Sequence, residues 1–433
     1  MIGVLCSDVM FLFFQLSFEL SLLFLSCKRQ IVTTMIFERI NLFLIIINLS
    51  LSNIFSLKLN PYTSVMIVPT GVGASIGGYA GDALPSARLL ASVSDIFITH
   101  PNVMNGAMLY WPISNALYVE GYALDEFASG RLSLHPINKK SNKIGLLLDS
   151  AMSNDLQLRH LQAADAARAT LGINIQSCTL TPRPIGVNLK LSDSGASWGT
   201  IDDVSTLIQG GQKLINDGCD AIAVVARFPE EDEIDSDELF KAYRIGDGVD
   251  AIAGAEALIS HVITKEFSIP CAHAPAFDAM EVEGNVSPKA AAEELGYTFL
   301  PCVLSYLHTA PLLQKISLKD DNNKDKKDNI NDRRIKKNND GILANDVDAV
   351  VVPIDCLGGQ AVLELARRGS MVIAVEENQT QMDCGITALQ ELVTDAHIIK
   401  ARSYTEAAGL IQAHKSGILF ESLTSNVPRL KIT

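Results

Sequence analysis

From residue 62 onward the chain alternates short apolar runs with segments of helical spacing. VMIV (65–68) and DIFITH (95–100) are β-branched or aromatic runs, and SARLLASVS between them repeats apolar residues at helical intervals. KIGLLLDSA (143–151) has the unbroken apolar character of a buried strand. The next segment, NDLQLRHLQAADAARATLG, predicts a helix with Leu161, Ala164, Ala167 and Leu171 on one face, Arg159 and His160 on the surface, and Gly172 as the stop. INIQSCTL reads as a strand. DVSTLIQGGQKLINDGCDAIAVVARF reads as a helix, a glycine stop and a strand ending at Arg227. A helix (DAIAGAEALISHVITKEF), a strand (SIPCAHA) and a helix capped by Ser287 with Pro288 in its first turn follow. VDAVVVPID, AVLELARRG and MVIAVEE then give strand, helix, strand. This order predicts the α/β class: mostly parallel sheets with crossover helices on both faces, in two Rossmann-like lobes.

Two segments break the pattern. Residues 1–60 hold two apolar runs, 9–27 and 40–57, separated by Lys28 and Arg29. Each is about the length of a membrane span, which takes roughly 20 apolar residues. Glu19 interrupts the first run, Asn41, Asn48 and Asn53 the second, and no small-residue cleavage site stands out. The segment reads as a targeting leader, a retained anchor, or residues ahead of a true start at Met35 or Met66. Residues 315–341 are dominated by Lys, Asp, Asn and Arg, with too little apolar surface to fold. The expected organisation is therefore a leader or anchor at 1–60, an α/β core at 61–314, a disordered charged insert at 315–341, the rest of the core at 342–420 and a tail at 421–433.

Composition changes the picture in two ways. A formal net charge of −14 argues against a nucleic-acid surface, which needs a basic field. Eight cysteines show no CxxC and no metal-type pairing, which suits reduced thiols rather than a disulfide framework. The acidic run 229–238 reads as a solvated loop.

Candidate chemistry gathers at strand ends, where open α/β sheets bind ligands. PTGVGASIGGYAGD (69–82) follows the first core strand, and its glycines at 71, 73, 77, 78 and 81 invite a phosphate cradle. Ile76 stands where both registers of G-x-G-x-x-G need glycine, and the lysine of a Walker loop is missing. What remains is a looser loop for an anion or substrate, with Gly71, Gly73, Gly77, Gly78 and Asp82 as binding candidates, or a tight connection needing positive φ. THPNVMNGAMLYWP offers His100, Asn102 and Asn105 as substrate-reading groups, or as a core histidine and two turn residues. Arg227 is placed to hold a carboxylate or phosphate, or to pair with the acidic run beside it. In IPCAHAPAF, Cys271 and His273 share a strand face and form a candidate nucleophile and base, although roughly 6.5–7 Å separates such positions. The alternative is a buried thiol and a packed imidazole. Asp355 and Glu377 are strand-end carboxylates suited to base chemistry, ligand binding or helix capping. No His/Cys/carboxylate set has metal spacing, and no cofactor is named.

PTGVGASIGGYAGDALP, THPNVMNGAMLYWP, NALYVEGYALD, LRHLQAADAARA, AVVARFP, PCAHAPA, AAEELGYTFLPCVL and AVEEN, in this order, resemble the DUF3326 domain proteins of cyanobacteria and plastid-bearing eukaryotes. The resemblance covers about residues 61–418, outside the leader and the insert. It supplies no catalytic residue, and its distribution implies a plastid address for the leader, with membrane anchoring as the alternative. The expected function is an enzyme acting on a small, anionic metabolite through a strand-end Cys/His site, of isomerase, lyase or transferase type. The alternatives are a non-catalytic protein that binds or senses such a metabolite and, on the leader alone, a membrane-anchored scaffold. Expected partners are a small-molecule ligand and a second copy of the chain, with no nucleic acid and no membrane beyond the leader.

Overall fold

The structure is a computed structural model that describes residues 60–430 apart from 80, 105–108, 110, 138–140, 194, 230–236, 248, 278–283, 292–298, 317–340 and 428. The leader, nearly all of the charged insert, the centre of the acidic run, Asn105 and the second half of the helix expected after Ser287 lie outside the described residues.

In chain order, β1 (Thr63–Met66), α1 (Leu84–Val93), β2 (Ile96–Thr99), the short α2 (Pro101–Met104), β3 (Ala116–Tyr118) and α3 (Gly121–Ala128) begin the first lobe. After β4 (Leu132–His135) the chain enters a second lobe: β5 (Ile144–Leu148), α4 (Asn154–Leu171), β6 (Ile175–Leu180), β7 (Val187–Leu191), β8 (Ser197–Ile201), α5 (Val204–Asn216), β9 (Ala221–Arg227), α6 (Asp237–Arg244), α7 (Ala253–Phe267), β10 (Cys271–Ala276) and α8 (Leu300–Leu307). It then returns through β11 (Leu312–Lys315), β12 (Val347–Pro353), α9 (Gln360–Arg367), β13 (Met371–Val375), α10 (Ile386–Leu392), β14 (Ile398–Ala401) and α11 (Tyr404–Lys415). Lys315, placed at the start of the insert by composition, still pairs in β11 with Leu132 of β4.

The first lobe is a six-stranded parallel sheet in the order β3-β2-β1-β12-β13-β14. Taken in chain order those strands run 3-2-1-4-5-6, the doubly wound dinucleotide-fold order. Met66, Val351 and Ile373 point to the side covered by α1 and α11, while Val65, Val350 and Val372 point to the side covered by α3 and α9. Burial on both faces is why β12 reads VDAVVVP without alternation. The second lobe is a four-stranded parallel sheet, β10-β9-β5-β6, with α4 and α8 on one face and α5 and α7 on the other. The two expected lobes are thus present, the second inserted into the first.

The helix α4 ends at Gly172 in the left-handed region, as its sequence predicts. Its buried stripe differs from the expected one: Leu156, His160, Ala164 and Ala167 face the core, while Leu161 and Leu171 are exposed. His160, read as a surface group, is fully buried and bonds the Leu156 carbonyl through Nδ1 at 2.9 Å. The 156–160–164 spacing of four residues defines the face, and an imidazole bonded to its own helix satisfies part of its polarity there.

The lobes meet where edge strand β3 approaches edge strand β10. The Tyr118 hydroxyl donates to the Cys271 carbonyl at 2.6 Å, and its ring packs on Tyr306 with centroids 4.5 Å apart. Both rings are fully buried in the core shared by the two sheets. That joint fixes the distance between the strand ends on which the cleft is built.

Candidate functional site

The glycine loop after β1 stands at the topological switch point between β1 and β12, the place where this strand order binds phosphates. Four of its amide donors are used within the chain. Asp82 Oδ1 accepts the N–H groups of Gly77 at 2.8 Å and Tyr79 at 3.3 Å. Ile76 N–H donates to Asn378 Oδ1 at 2.9 Å, and Ser75 N–H to the Gln379 carbonyl at 2.9 Å. A carboxylate of the protein thus holds amides that a phosphate would need. Gly71 and Gly77 have φ of +74° and +93°, and a Cβ on either would lie 2.6 Å from Ser197 O or Val68 Cγ1. These glycines serve close packing of the loop.

The second sheet shows the same device at its own switch point, between β5 and β9. The Asp149 carboxyl is fully buried and accepts N–H groups from Ala151 at 3.0 Å, Ile185 at 3.1 Å and Arg227 at 3.2 Å. Burial raises its pKa, partly offset by those bonds. Arg227 directs a guanidinium N–H to the neighbouring Phe228 carbonyl. Asp355 and Glu377 are also engaged: Asp355 accepts the Thr380 N–H at 2.9 Å and its hydroxyl at 2.8 Å, and Glu377 accepts the Tyr404 N–H at 2.7 Å. Gly73 packs against Gln381 and Gly78 against the Ala74 carbonyl. None of these residues lines the cleft described next.

That cleft opens between the lobes, with Thr70, His100, Asn102 and Glu120 on the first and Asp250, Glu256, Ser260, His261 and His273 on the second. It spans about 430 Å³ including its open mouth. Its lining is mostly polar side chains, so the cleft suits a small polar molecule. His100, Asn102 and Glu120 lie just beyond the carboxyl ends of β2 and β3, and His273 lies within β10. Glu256, Ser260 and His261 follow helical spacing along one face of α7.

Glu120 organises the cleft. It is almost fully buried and caps α3, its Oε2 accepting the Tyr122 N–H at 2.9 Å and the Ala123 N–H at 3.3 Å. Oε1 is left to pair with His261 Nδ1 and to accept from the Ser260 hydroxyl at 3.3 Å. Glycine follows at 121 because a Cβ there would lie 2.9 Å from His261 Cε1. Ser260 Oγ also shares a hydrogen bond of 3.0 Å with His273 Nδ1, and His273 Nε2 faces Glu256 Oε2 at 3.8 Å. A continuous chain of groups therefore runs His261–Glu120–Ser260–His273, with Glu256 beyond.

The three histidines differ in charge. Burial alone would lower His261, but the hydrogen bond and charge of Glu120, helped by Asp125, outweigh it and hold its pKa above the ordinary value. His273 is pushed down to about 3 by burial and by the nearby His261, so it is a neutral ring at neutral pH. His100 is pushed down to about 4 by burial. Its Nε2 accepts the Val68 N–H at 3.0 Å, which places the ring proton on Nδ1. Asn102 ties the end of β1 instead of reading a ligand, donating to the Val68 and Pro69 carbonyls at 3.1 and 3.0 Å. Burial pushes the Asp250 carboxyl up to about 6.

Of the residues singled out from sequence, the cleft gathers His100, Asn102 and His273. Cys271 shares a strand face with His273, yet it is fully buried in the core beneath α7, and burial raises its thiol well above the ordinary range. A thiol held protonated there is not an activated nucleophile. Glu120, Glu256, Ser260 and His261 went unremarked in the sequence. The one available signal was Glu120 itself, in the NALYVEGYALD stretch, at a strand end directly before a glycine and a helix. Among the described residues no set of three or more His, Cys, Asp or Glu is arranged to hold a metal ion.

Fold and cleft define a two-lobed, doubly wound α/β protein with a histidine–carboxylate cleft between its lobes. The chain belongs to the DUF3326 family, described as "Protein of unknown function (DUF3326)", whose pattern matches residues 63–424. It is 46% identical over 356 residues to an uncharacterized lipoprotein of Synechococcus sp., covering 82% of this chain and 91% of the relative. No solved structure matches the chain. Among the described residues no helix is long and apolar enough to cross a membrane.

Proposed function

We propose that the protein is an enzyme that moves a proton on a small polar metabolite bound between the lobes. The observation that carries this is the hydrogen-bonded series His261–Glu120–Ser260–His273, which joins a half-exposed imidazole to a buried neutral one. His261 is the acid–base group: Glu120 fixes its Nδ1 and holds its pKa above the ordinary value, leaving Nε2 to take a proton from the substrate and return it. Glu120 and Ser260 tie His261 to His273, whose neutral ring is left to orient the substrate by hydrogen bonding. His100 offers its Nδ1–H to a developing oxyanion. The cleft also holds three carboxylates, Glu120, Glu256 and Asp250, so the metabolite carries at most a single compact negative group at its recognised end.

The test is solvent exchange. The purified protein is incubated with a metabolite extract in D2O, and the extract is surveyed by mass spectrometry. One metabolite class is expected to gain deuterium or to be converted with wild type, and not with His273→Gln or His261→Gln. Thermal stabilisation of the protein by a metabolite that is neither exchanged nor consumed would favour the non-catalytic, metabolite-binding reading and sink this one.

We further propose that residues 1–60 deliver the chain to the plastid. The two apolar runs around Lys28 and Arg29 support a targeting or anchoring role, as does a cyanobacterial relative named a lipoprotein. Mass spectrometry of the protein isolated from plastids is expected to find a mature N-terminus beyond Leu57. An intact Met1 on a membrane-bound protein would replace this reading with retained anchoring.

A further inference from the structure

Outside the cleft, two thiols stand in register. Cys356 follows β12 and Cys384 precedes α10, and the two residues form an isolated parallel bridge at the carboxyl end of the first sheet. The backbone holds them as partners: Cys384 N–H donates to the Asp355 carbonyl at 2.9 Å, and Leu357 N–H to the Cys384 carbonyl at 2.8 Å. Bridged residues share a side, and neighbouring strands lie about 4.8 Å apart. That falls within the roughly 4.4–6.8 Å between Cα atoms that a disulfide requires. The Cys384 Sγ also nests over Gly358, where an added Cβ would lie 2.5 Å away. We propose that Cys356 and Cys384 form a reversible disulfide site that reacts with small-molecule disulfides.

The two thiols have different parts in the exchange. Cys384 is half-buried in a segment whose preceding residues, Gln381, Met382 and Asp383, are exposed, so a reagent can reach it. Its thiolate attacks one sulfur of the reagent disulfide, forming a mixed disulfide and expelling one reagent thiolate. Cys356 is buried, its thiol pushed up to about 12 by burial and by Asp355 and Cys384, so it stays protonated and does not react with the reagent itself. Unlike Cys271 it has a carboxylate on its S–H and a bridge partner beside it, and it is the resolving group. Its S–H faces Asp355 Oδ1 at 3.5 Å and the Thr380 hydroxyl at 2.9 Å. Asp355 takes the proton as Cys356 attacks Cys384 Sγ and expels the second reagent thiolate. Two protein thiols are oxidised and one disulfide is reduced to two thiols.

The consequence is local locking. Thr380, Gln381 and Cys384 belong to the segment that covers the glycine loop, with Ala74 bridged to Thr380 and Gln381 N–H donating to the Gly73 carbonyl at 3.0 Å. A bond from 356 to 384 fastens that cover to β12.

The folded full-length chain is incubated with glutathione disulfide, quenched by alkylation, and mapped by peptide mass spectrometry. The expected product is a Cys356–Cys384 linked peptide, two hydrogens lighter than the reduced pair and restored by dithiothreitol. The oxidised protein's melting midpoint is expected to rise by about 4–5 °C. Cys178→Ser, which removes an exposed thiol elsewhere, should leave the linked peptide intact, whereas Cys384→Ser should leave Cys356 reduced. A wild-type protein that stops at a lasting glutathione adduct on Cys384 would overturn the proposal. So would one that is modified at Cys178 while both bridge thiols stay alkylatable.

Discussion

Glu120→Ala is expected to lower stability by about 2–3 kcal/mol and to abolish turnover. Three losses add up. The cap of α3 disappears, worth about 1 kcal/mol. A buried bond to Ser260 goes, and that hydroxyl loses its carboxylate acceptor, at about 1 kcal/mol more. The pair with His261 is also broken, but that imidazole is about 41% exposed, so water recovers much of its proton's solvation. Glu120→Gln separates charge from shape, because an amide oxygen can still cap the helix.

The pH dependence gives the sharper reading of the pair. His261 has a folded pKa above its unfolded value near 6.5. Its contribution to stability is therefore fully present below about pH 6.5 and is lost as pH rises through the raised folded value. The stability gap between wild type and Glu120→Gln should be widest in mild acid and narrow on the alkaline side. His100 and His273 act in the opposite sense, since the unfolded chain binds protons that they refuse until about pH 4 and 3. Both weaken the fold below about pH 6.5; His100, lowered by burial alone, drops out of the difference, whereas His273 also feels the His261 charge and stays in it. NMR titration of the His261 ring and denaturant midpoints from pH 5 to 9 measure both quantities. A gap independent of pH would show that the pair carries no charge in the fold.

Gly254→Val is expected to cost about 3 kcal/mol and to dismantle the cleft without touching a residue that lines it. A Cβ at 254 would lie 2.4 Å from the Ser197 carbonyl oxygen and 2.6 Å from Trp198 Cα. Both are backbone atoms of β8, so no side chain can swing aside, and α7 must lift off the β7–β8 hairpin. Glu256, Ser260 and His261 travel with that helix. The variant should therefore lose the raised His261 pKa together with its stability. Gly409→Ala supplies the contrast: it is an exposed position inside α11 with nothing within 4 Å of an added Cβ. It should stabilise by about 0.5–1 kcal/mol through helix propensity alone. If Gly254→Val melts like wild type, the close helix–hairpin contact does not hold the cleft.

Much of the architecture was legible along the chain. Largely apolar, β-branched runs such as VDAVVVP and IGLLL read as strands buried on both faces, and glycine stops such as Gly172 mark helix ends through their own backbone freedom. The strands that escaped were those without that signature. VNLKL and SWGTI form a half-exposed hairpin, where polar and apolar residues mix, and ALY is too short for a period to show.

The chemistry divides along the same line. Residue type and local position brought out His100, just past a strand end, and His273, inside a strand, since both depend on local order. The sequence could also exclude two nucleotide loops, because Ile76 and a missing lysine are local facts. What the amides of the glycine loop bind was settled by Asn378, Gln379 and Asp82, two of them about 300 positions away in the chain. The pairing of Glu120 with His261, 141 positions apart, likewise exists only because β3 and β10 meet edge to edge and α7 lies across the joint. Charge and burial at a site are sums over neighbours in space. The chain by itself determined which elements form and where each ends; the packing of two sheets decided which polar groups meet, which are buried, and which keep a proton.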